Sequence, residues 1–107
     1  MQIEERQVGE VMILDLKGKV TLNEGDEVLK DKINSLLQQD KNKILLNLAE
    51  VPYIDSAGLG EIVRCYTIVT RHNGKFKLLN IPKRIRDLLS TARLDQVIGD
   101  DNDERPS

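Results

Sequence analysis

The chain has 107 residues, 39% hydrophobic and 32% charged, which supports one domain with a mostly aliphatic core because only 3% of the residues are aromatic. Its formal net charge of -2 leaves no basic excess to neutralise a run of phosphates, so non-specific nucleic-acid binding is disfavoured. One cysteine and one histidine exclude an internal disulfide and disfavour a dedicated metal site, so we expect no metal and no cofactor. No apolar run approaches the roughly 20 residues of a membrane span, and acids stand near the start where a signal peptide is apolar. We therefore expect a cytoplasmic protein without a membrane partner.

A β-hairpin is predicted at the start of the chain. Residues 3–8 form a weak, mostly polar strand candidate, and residues 11–16 form a stronger, apolar one. Gly9-Glu10 lies between them, and a two-residue turn with glycine first is typical of the type II′ hairpin. Because the first strand carries several charges, we expect it at an edge of the sheet.

A first helix is expected after a short loop. Residues 21–24 match a capping box, which predicts a start near Asn23 or Glu24, and Asn23 with Asp26 gives a competing start. The helix is expected to fade near Gln39-Asp40. Apolar residues at i, i+4, i+7 and i+8 indicate one buried stripe, which consists of Leu29, Ile33, Leu36 and Leu37.

Strands and helices then alternate. The short apolar run at 43–48 predicts a strand covered on both faces, as in a parallel sheet. A second helix is expected to follow residues 53–56 and to end at 72–74, before a strand at 75–79. Pro82 suits the first turn of a third helix. The expected inner faces consist of Leu59, Ile62, Val63, Tyr66 and Val69 in the second helix and of Ile85, Leu88 and Leu89 in the third.

The resulting order, β-β-α-β-α-β-α, indicates an α/β domain over residues 1–98. Leu94, Val97 and Ile98 are expected to pack a short final element. From residue 99 onward the composition becomes acidic and polar. This change predicts a disordered acidic tail at 99–107.

The most informative segment is Asp55-Ser56-Ala57-Gly58-Leu59-Gly60, at the start of the second predicted helix. Helix starts present free backbone N–H groups and a partial positive charge, which favour anions. Asp55 and Ser56 are both good N-cap residues, so a plain cap is the simplest interpretation. Glycine inside a helix is about 1 kcal/mol less favourable than alanine, and two in one turn indicate that something approaches the backbone closely. A partner or a tightly packed neighbour would both explain this.

Three enzyme motifs do not fit this segment. A nucleophile elbow needs glycine two positions before the serine, where Ile54 stands, and His72 is the only histidine available as a base. The Gly-x-x-x-x-Gly-Lys-Ser/Thr pattern of a phosphate loop is absent. A dinucleotide fingerprint would need glycine at the position of Val63. We therefore expect no catalytic residues, and an enzyme or small-ligand sensor is the least favoured hypothesis.

Residues 53–60 resemble the signature of the anti-sigma-factor antagonists, which belong to the STAS family (sulfate transporter and anti-sigma antagonist domains). The resemblance extends by element order over roughly residues 3–98. It includes the apolar strand at 44–48 shortly before the motif and the turn at Gly74. It implies a small mixed sheet of four to five strands packed with about three to four helices.

In this bacterial family, the serine directly after the aspartate is phosphorylated by a partner kinase that is also the anti-sigma factor and carries the ATP. The resemblance thus implies that Ser56 is the phosphorylation site. It implies partner switching, in which the unphosphorylated protein captures the anti-sigma factor and frees a sigma factor, and a phosphatase restores the phosphorylated protein. The residues expected at the partner-binding surface are Asp55, Ser56, Ala57, Gly58, Gly60, Arg64, Lys19, Thr21 and Asn23.

The sequence departs from the family pattern at two positions. Ala57 stands where many members have serine or threonine, which leaves Ser56 as the one acceptor in the motif. Lys19 stands after a glycine where many members have an acid, so the identity of the partner stays open. For Thr21 and Asn23 a capping role is the simpler interpretation, and Arg64 is more simply a solvated charge than a contact at the rim of the interface.

A phosphate on Ser56 is expected to block the binding face without changing the fold. The helix start attracts its charge and Asp55 repels it, and these screened effects roughly cancel. An alternative function for the same fold is a scaffold or assembly subunit. Such a subunit would bind a protein partner without a phosphorylation cycle.

Overall fold

A four-stranded mixed sheet lies at the centre of the computed structural model, which describes residues 1–22 and 24–91. The strands are neighbours in chain order: β1 (Gln2–Val8), β2 (Val11–Lys17), β3 (Lys43–Glu50) and β4 (Lys75–Leu79). The β1–β2 pair is antiparallel, and the β2–β3 and β3–β4 pairs are parallel. The helices are α1 (Asp26–Gln38), α2 (Ser56–Arg71) and α3 (Lys83–Thr91). The predicted order β-β-α-β-α-β-α and the mixed sheet are confirmed.

The connection between β1 and β2 matches the predicted hairpin. Val8 pairs with Val11 across a two-residue turn. Of the two turn residues, Gly9 has a positive φ of 63° and Glu10 does not, as a type II′ turn requires. β1 pairs with β2 alone and is exposed along most of its length, so it is the edge strand that its charges predicted.

Strand β3 is buried on one face, so the prediction of burial on both faces was wrong. Ile44, Leu46 and Leu48 are buried, whereas Leu45 and Asn47 point to the opposite face and are partly exposed. β2 and β4 show the same alternation. The continuous apolar run led to the wrong prediction because Leu45 is apolar but lies on the face opposite the core, where it is partly exposed.

Helix α1 begins at Asp26, later than the capping box predicted. Thr21 and Glu24 pair with each other through their backbones, with N···O distances of 2.7 and 3.0 Å, and this pair forms a tight loop before the helix. Glu24 therefore cannot serve as the third residue of α1. Gly25 precedes the helix with φ of 98° and provides no side-chain cap. The competing start at Asn23 lies outside the described residues.

The core is aliphatic and joins one face of the sheet to all three helices. The predicted stripe of α1 is buried in full. Helix α2 buries Ile62, Cys65 and Val69, and Leu59 and Tyr66 pack against the core while partly exposed. The prediction that Leu88 faces the core was wrong: it is 36% exposed, because Ile85 and Leu89 already form the inner face of the short helix α3. Val63 of α2, also predicted to face the core, is only half-buried.

The predicted final element with Leu94, Val97 and Ile98 and the predicted tail at 99–107 lie outside the described residues. Within the described part, no helix has both the length and the apolar character needed to cross a membrane.

Candidate partner-binding site

Two loops meet at the start of α2. Val20, in the loop after β2, forms a parallel bridge with Ile54, in the loop after β3. The Val20 N–H donates to the carbonyl of Tyr53 at 3.1 Å, and the Asp55 N–H donates to the carbonyl of Val20 at 3.4 Å. The parallel pairing of β2 with β3 thus continues past the strand ends. It brings the loop with Lys19 and Thr21 beside the start of α2.

Asp55 is the N-cap of α2 and also ties the two loops together. Its Oδ1 accepts a hydrogen bond from the Gly58 N–H at 2.8 Å, and its Oδ2 accepts one from the Leu22 N–H at 3.2 Å. These backbone donors, Gly58 first, hold the pKa of the Asp55 carboxyl below its usual value. Both oxygens are engaged by backbone, so Asp55 acts as a cap here and does not orient the Ser56 hydroxyl.

The low pKa of Asp55 predicts a stability contribution that disappears in acid. A carboxyl whose pKa is lower in the folded than in the unfolded state stabilises the folded protein at pH values above the unfolded pKa, which is about 3.9 for aspartate. This contribution is lost as the pH falls through the folded pKa. We expect Asp55→Asn to lower the urea midpoint at pH 7 and the gap to the unsubstituted protein to close in the acid range. Urea unfolding from pH 7 to pH 3 measures this. The control is Asp31→Asn, which replaces an exposed acid of α1. A difference in urea midpoint between Asp55→Asn and the unsubstituted protein that does not change with pH would contradict the prediction.

Ser56 is the first residue of α2 and is exposed. Within residues 1–22 and 24–91, its side chain has no hydrogen-bond partner. Its hydroxyl therefore faces solvent at a helix start, where the backbone N–H groups and the helix dipole favour an added anion. Ala57 follows and is half-buried.

The two glycines of the signature have different surroundings. A Cβ on Gly58 would lie 1.8 Å from the Val20 carbonyl oxygen, whereas a Cβ on Gly60 would meet nothing within 4 Å. Gly58 is buried and Gly60 is exposed. The two glycines predicted that something approaches the helix backbone closely. At Gly58 the approaching group is the backbone of Val20 in the same chain. Internal packing, the alternative left open for Gly58, explains that residue, and a contact with the partner stays a prediction for Gly60.

Arg64 is not the solvated charge that the sequence favoured. Its Nε donates to both carboxylate oxygens of Glu61, at 3.3 and 3.2 Å, and the Glu61 side chain is only 11% exposed. Its Nη2 is buried and has no hydrogen-bond partner in the described part of the chain. Arg64 is thus held along the helix by Glu61, and a role at the partner surface stays a prediction.

The other predicted contacts lie in the loop after β2. Lys19 is exposed. Thr21 is half-buried, and its hydroxyl donates to the Glu24 carbonyl at 3.4 Å, so it stabilises the loop and does not cap α1. Asn23 lies outside the described residues. The structure therefore places Lys19 and Thr21 in the loop that adjoins Ser56 but shows no partner.

An apolar groove of about 490 Å³ lies beside Ser56, between the start of α2 and α3. It is lined by Tyr53, Ile54, Asp55, Ser56, Leu59, Arg84, Ile85 and Leu88. Tyr53 is 48% and Leu88 36% exposed, and Leu22, whose N–H binds Asp55, is 63% exposed. Two of the five exposed large hydrophobic residues in the described part, Tyr53 and Leu88, therefore line the same groove as Ser56.

Sequence reasoning missed four members of this surface, namely Leu22, Tyr53, Arg84 and Leu88. The sequence predicts Leu88 on the inner face of the third helix, and no site role is predicted for the other three. A usable signal was present, because Arg84 and Leu88 stand four residues apart and so share one side of α3. What could not be read from the sequence is that this side of α3 adjoins the start of α2.

Cys65 lies beneath the site and is fully buried. Burial, with a smaller contribution from the neighbouring Glu61 carboxylate, raises the pKa of its thiol far above the ordinary value. The thiol therefore stays protonated and serves as a small apolar core residue.

The chain is similar to a known domain family and to proteins named as anti-sigma factor antagonists. Residues 2–105 match the STAS domain family. A Thermotoga neapolitana protein assigned to the anti-sigma factor antagonists is 32% identical over 91 residues, covering 85% of this chain and 80% of the relative. The crystal structure of such a protein from Thermotoga maritima has a TM-score of 0.82 at 27% identity, over 90% of this chain and 82% of that one.

A more distant neighbour shows the fold alone. The Bacillus cell fate determinant SpoIIAA in its phosphorylated form has a TM-score of 0.72 at 20% identity, over 90% of this chain and 87% of that one. The family match and the relatives together establish that the chain belongs to the STAS domain family, among the anti-sigma factor antagonists, which are regulatory binding proteins and not enzymes.

Proposed function

We propose that this protein binds an anti-sigma factor that is also a serine kinase, and that phosphorylation of Ser56 switches this binding off. The observation that carries the proposal is the exposed Ser56 at the start of α2, beside an apolar groove that exposes Tyr53 and Leu88. Unphosphorylated protein captures the anti-sigma factor and releases a sigma factor. The partner carries the ATP, and a phosphatase removes the phosphate.

The surface around Ser56 suits a protein partner. Leu22, Tyr53 and Leu88 are exposed close to the groove, and clustered apolar side chains on a small domain are typical of binding surfaces. Tyrosine is also enriched among residues that dominate binding energies. The proposed binding face consists of the loop at 18–22, the start of α2 and the groove beside it.

The position of Ser56 also suits a switch that leaves the fold intact. A phosphate there would lie at the positive end of α2 and outside the core. The Asp55 carboxylate is already bound by two backbone N–H groups, so the cap does not depend on the Ser56 hydroxyl. SpoIIAA, which shares this fold, has been solved in both unphosphorylated and phosphorylated forms.

Phosphate transfer to Ser56 is the direct test of this function. We expect an anti-sigma kinase from the same organism, with ATP, to add one phosphate to the protein and peptide mass spectrometry to locate it on Ser56. Ser56→Ala is expected to remove the modification. Ser35→Ala, which removes an exposed serine of α1, is expected to leave it unchanged.

Two other outcomes would replace the proposal. Stable binding of the partner without any phosphate transfer would favour the scaffold function for the same surface. Turnover of a small molecule by the isolated protein would favour an enzyme instead.

A further inference from the structure

Arg84 is the cation that lines the groove beside Ser56. It lies in the first turn of α3 and is exposed. Within residues 1–22 and 24–91 it forms no ion pair or hydrogen bond. Its neighbour Lys83, by contrast, pairs with Asp87 at 3.2 Å and does not line the groove. The guanidinium of Arg84 is therefore available to an anion in the groove.

Within residues 1–22 and 24–91, the one carboxylate that lines the groove is that of Asp55, and it is bound by backbone N–H groups. The charged or titratable residues that line the groove are Asp55, Arg84 and Tyr53. The Asp55 carboxylate accepts hydrogen bonds from the N–H groups of Gly58 and Leu22, so it faces the backbone. The remaining lining is Ser56 and the apolar residues Ile54, Leu59, Ile85 and Leu88. Among the groove residues in the described part of the chain, Ser56 is the one that gains a negative charge under the proposed function.

We propose that Arg84 binds the phosphate of phosphorylated Ser56 across this groove and thereby closes the groove over its apolar floor. The proposal rests on the proposed function, since it assumes that Ser56 becomes phosphorylated. Guanidinium groups bind phosphate oxygens in a bidentate manner, and the long Arg84 side chain, in the first turn of α3, lines the same groove as Ser56 at the start of α2. Phosphorylation then removes both the cation and the apolar floor from the partner, in addition to placing a charge on the binding face.

The test uses protein in which phosphoserine is incorporated at position 56 during synthesis, so that no kinase is needed. The second pKa of the phosphate, near 6 in a free phosphoserine, is measured by ³¹P NMR titration. We expect that pKa to be lower by about 0.5 units in the otherwise unsubstituted protein than in Arg84→Gln, because a nearby cation favours the dianion. We also expect the Nε–Hε signal of Arg84 to shift with the same midpoint.

Matched variants separate pairing from a general charge effect. Lys83→Gln removes one positive charge from the same turn of α3 outside the groove and is expected to leave the phosphate pKa unchanged. Arg84→Lys keeps the charge and is expected to restore part of the shift. The difference between Arg84→Gln and the parent should shrink in 1 M salt.

Equal phosphate pKa values in the parent, Arg84→Gln and Lys83→Gln would overturn the proposal. The same holds for an Arg84 Nε–Hε signal that does not respond to the titration. Neither result touches the proposed function, since partner binding and phosphate transfer by the kinase are measured separately. Conversely, a kinase that fails to modify Ser56 would refute the proposed function and leave this titration interpretable.

Discussion

Phosphorylated Ser56 is expected to weaken binding of the anti-sigma factor about a thousandfold while the fold stays the same. A dianion that loses its water at a packed interface, with no counter-charge from the anti-sigma factor, costs several kcal/mol, and about 4 kcal/mol corresponds to this factor. The phosphate itself sits at a helix start outside the core, so it adds no strain to the folded chain. The main physical basis of the switch is therefore the desolvation of the phosphate, and the pairing with Arg84 proposed above would add the loss of the groove to the partner.

Calorimetric titration of the partner into unphosphorylated protein, phosphorylated protein and Ser56→Asp measures this effect. The Ser56→Asp variant carries one carboxylate in place of a phosphate dianion, so we expect a smaller loss of affinity. Ser35→Ala is the matched control and should bind like the parent. Amide spectra should change only near residues 20–22 and 55–60 and along the groove at residues 84–88. Widespread changes with affinity intact would refute direct blocking of the binding face.

Gly58→Ala is expected to destabilise the protein by about 3 kcal/mol, in the range of overpacked cores and strained backbone sites. The new Cβ would lie 1.8 Å from the carbonyl oxygen and 2.7 Å from the carbonyl carbon of Val20. Both are backbone atoms, so the loop must move away from α2. That movement disturbs the Val20–Ile54 bridge and the hydrogen bond from Leu22 to Asp55.

Gly60→Ala is the matched control, because Gly60 lies two residues after Gly58 in the same helix. It has open space around the added methyl group, so we expect it to stabilise the helix by about 0.5–1 kcal/mol. Urea unfolding of both variants measures the contrast, and amide hydrogen exchange at Leu22 should rise in Gly58→Ala alone. Similar stabilities for the two variants would show that the Val20 contact does not constrain the helix start.

The local pattern of the sequence predicted most of the fold. The hairpin at Gly9-Glu10 and the buried stripe of α1 follow from turn chemistry and helical periodicity, which depend on neighbouring residues. The errors arose where a pattern had two structural solutions. The apolar run of β3 suits one or two buried faces, and the acid at Glu24 suits a helical cap or the loop before it.

The order of the elements, the family resemblance and the candidate switch residue Ser56 could be predicted without coordinates, because each depends on residues adjacent in the chain. The surroundings of Ser56 could not be predicted in this way. Parallel pairing of β2 with β3 places Val20 against Gly58. It also places the Leu22 N–H within hydrogen-bond distance of Asp55. The packing of α3 places Arg84 and Leu88 along the groove. These residues come from distant segments, and their proximity is set by pairing and burial across the whole domain, which no local pattern encodes.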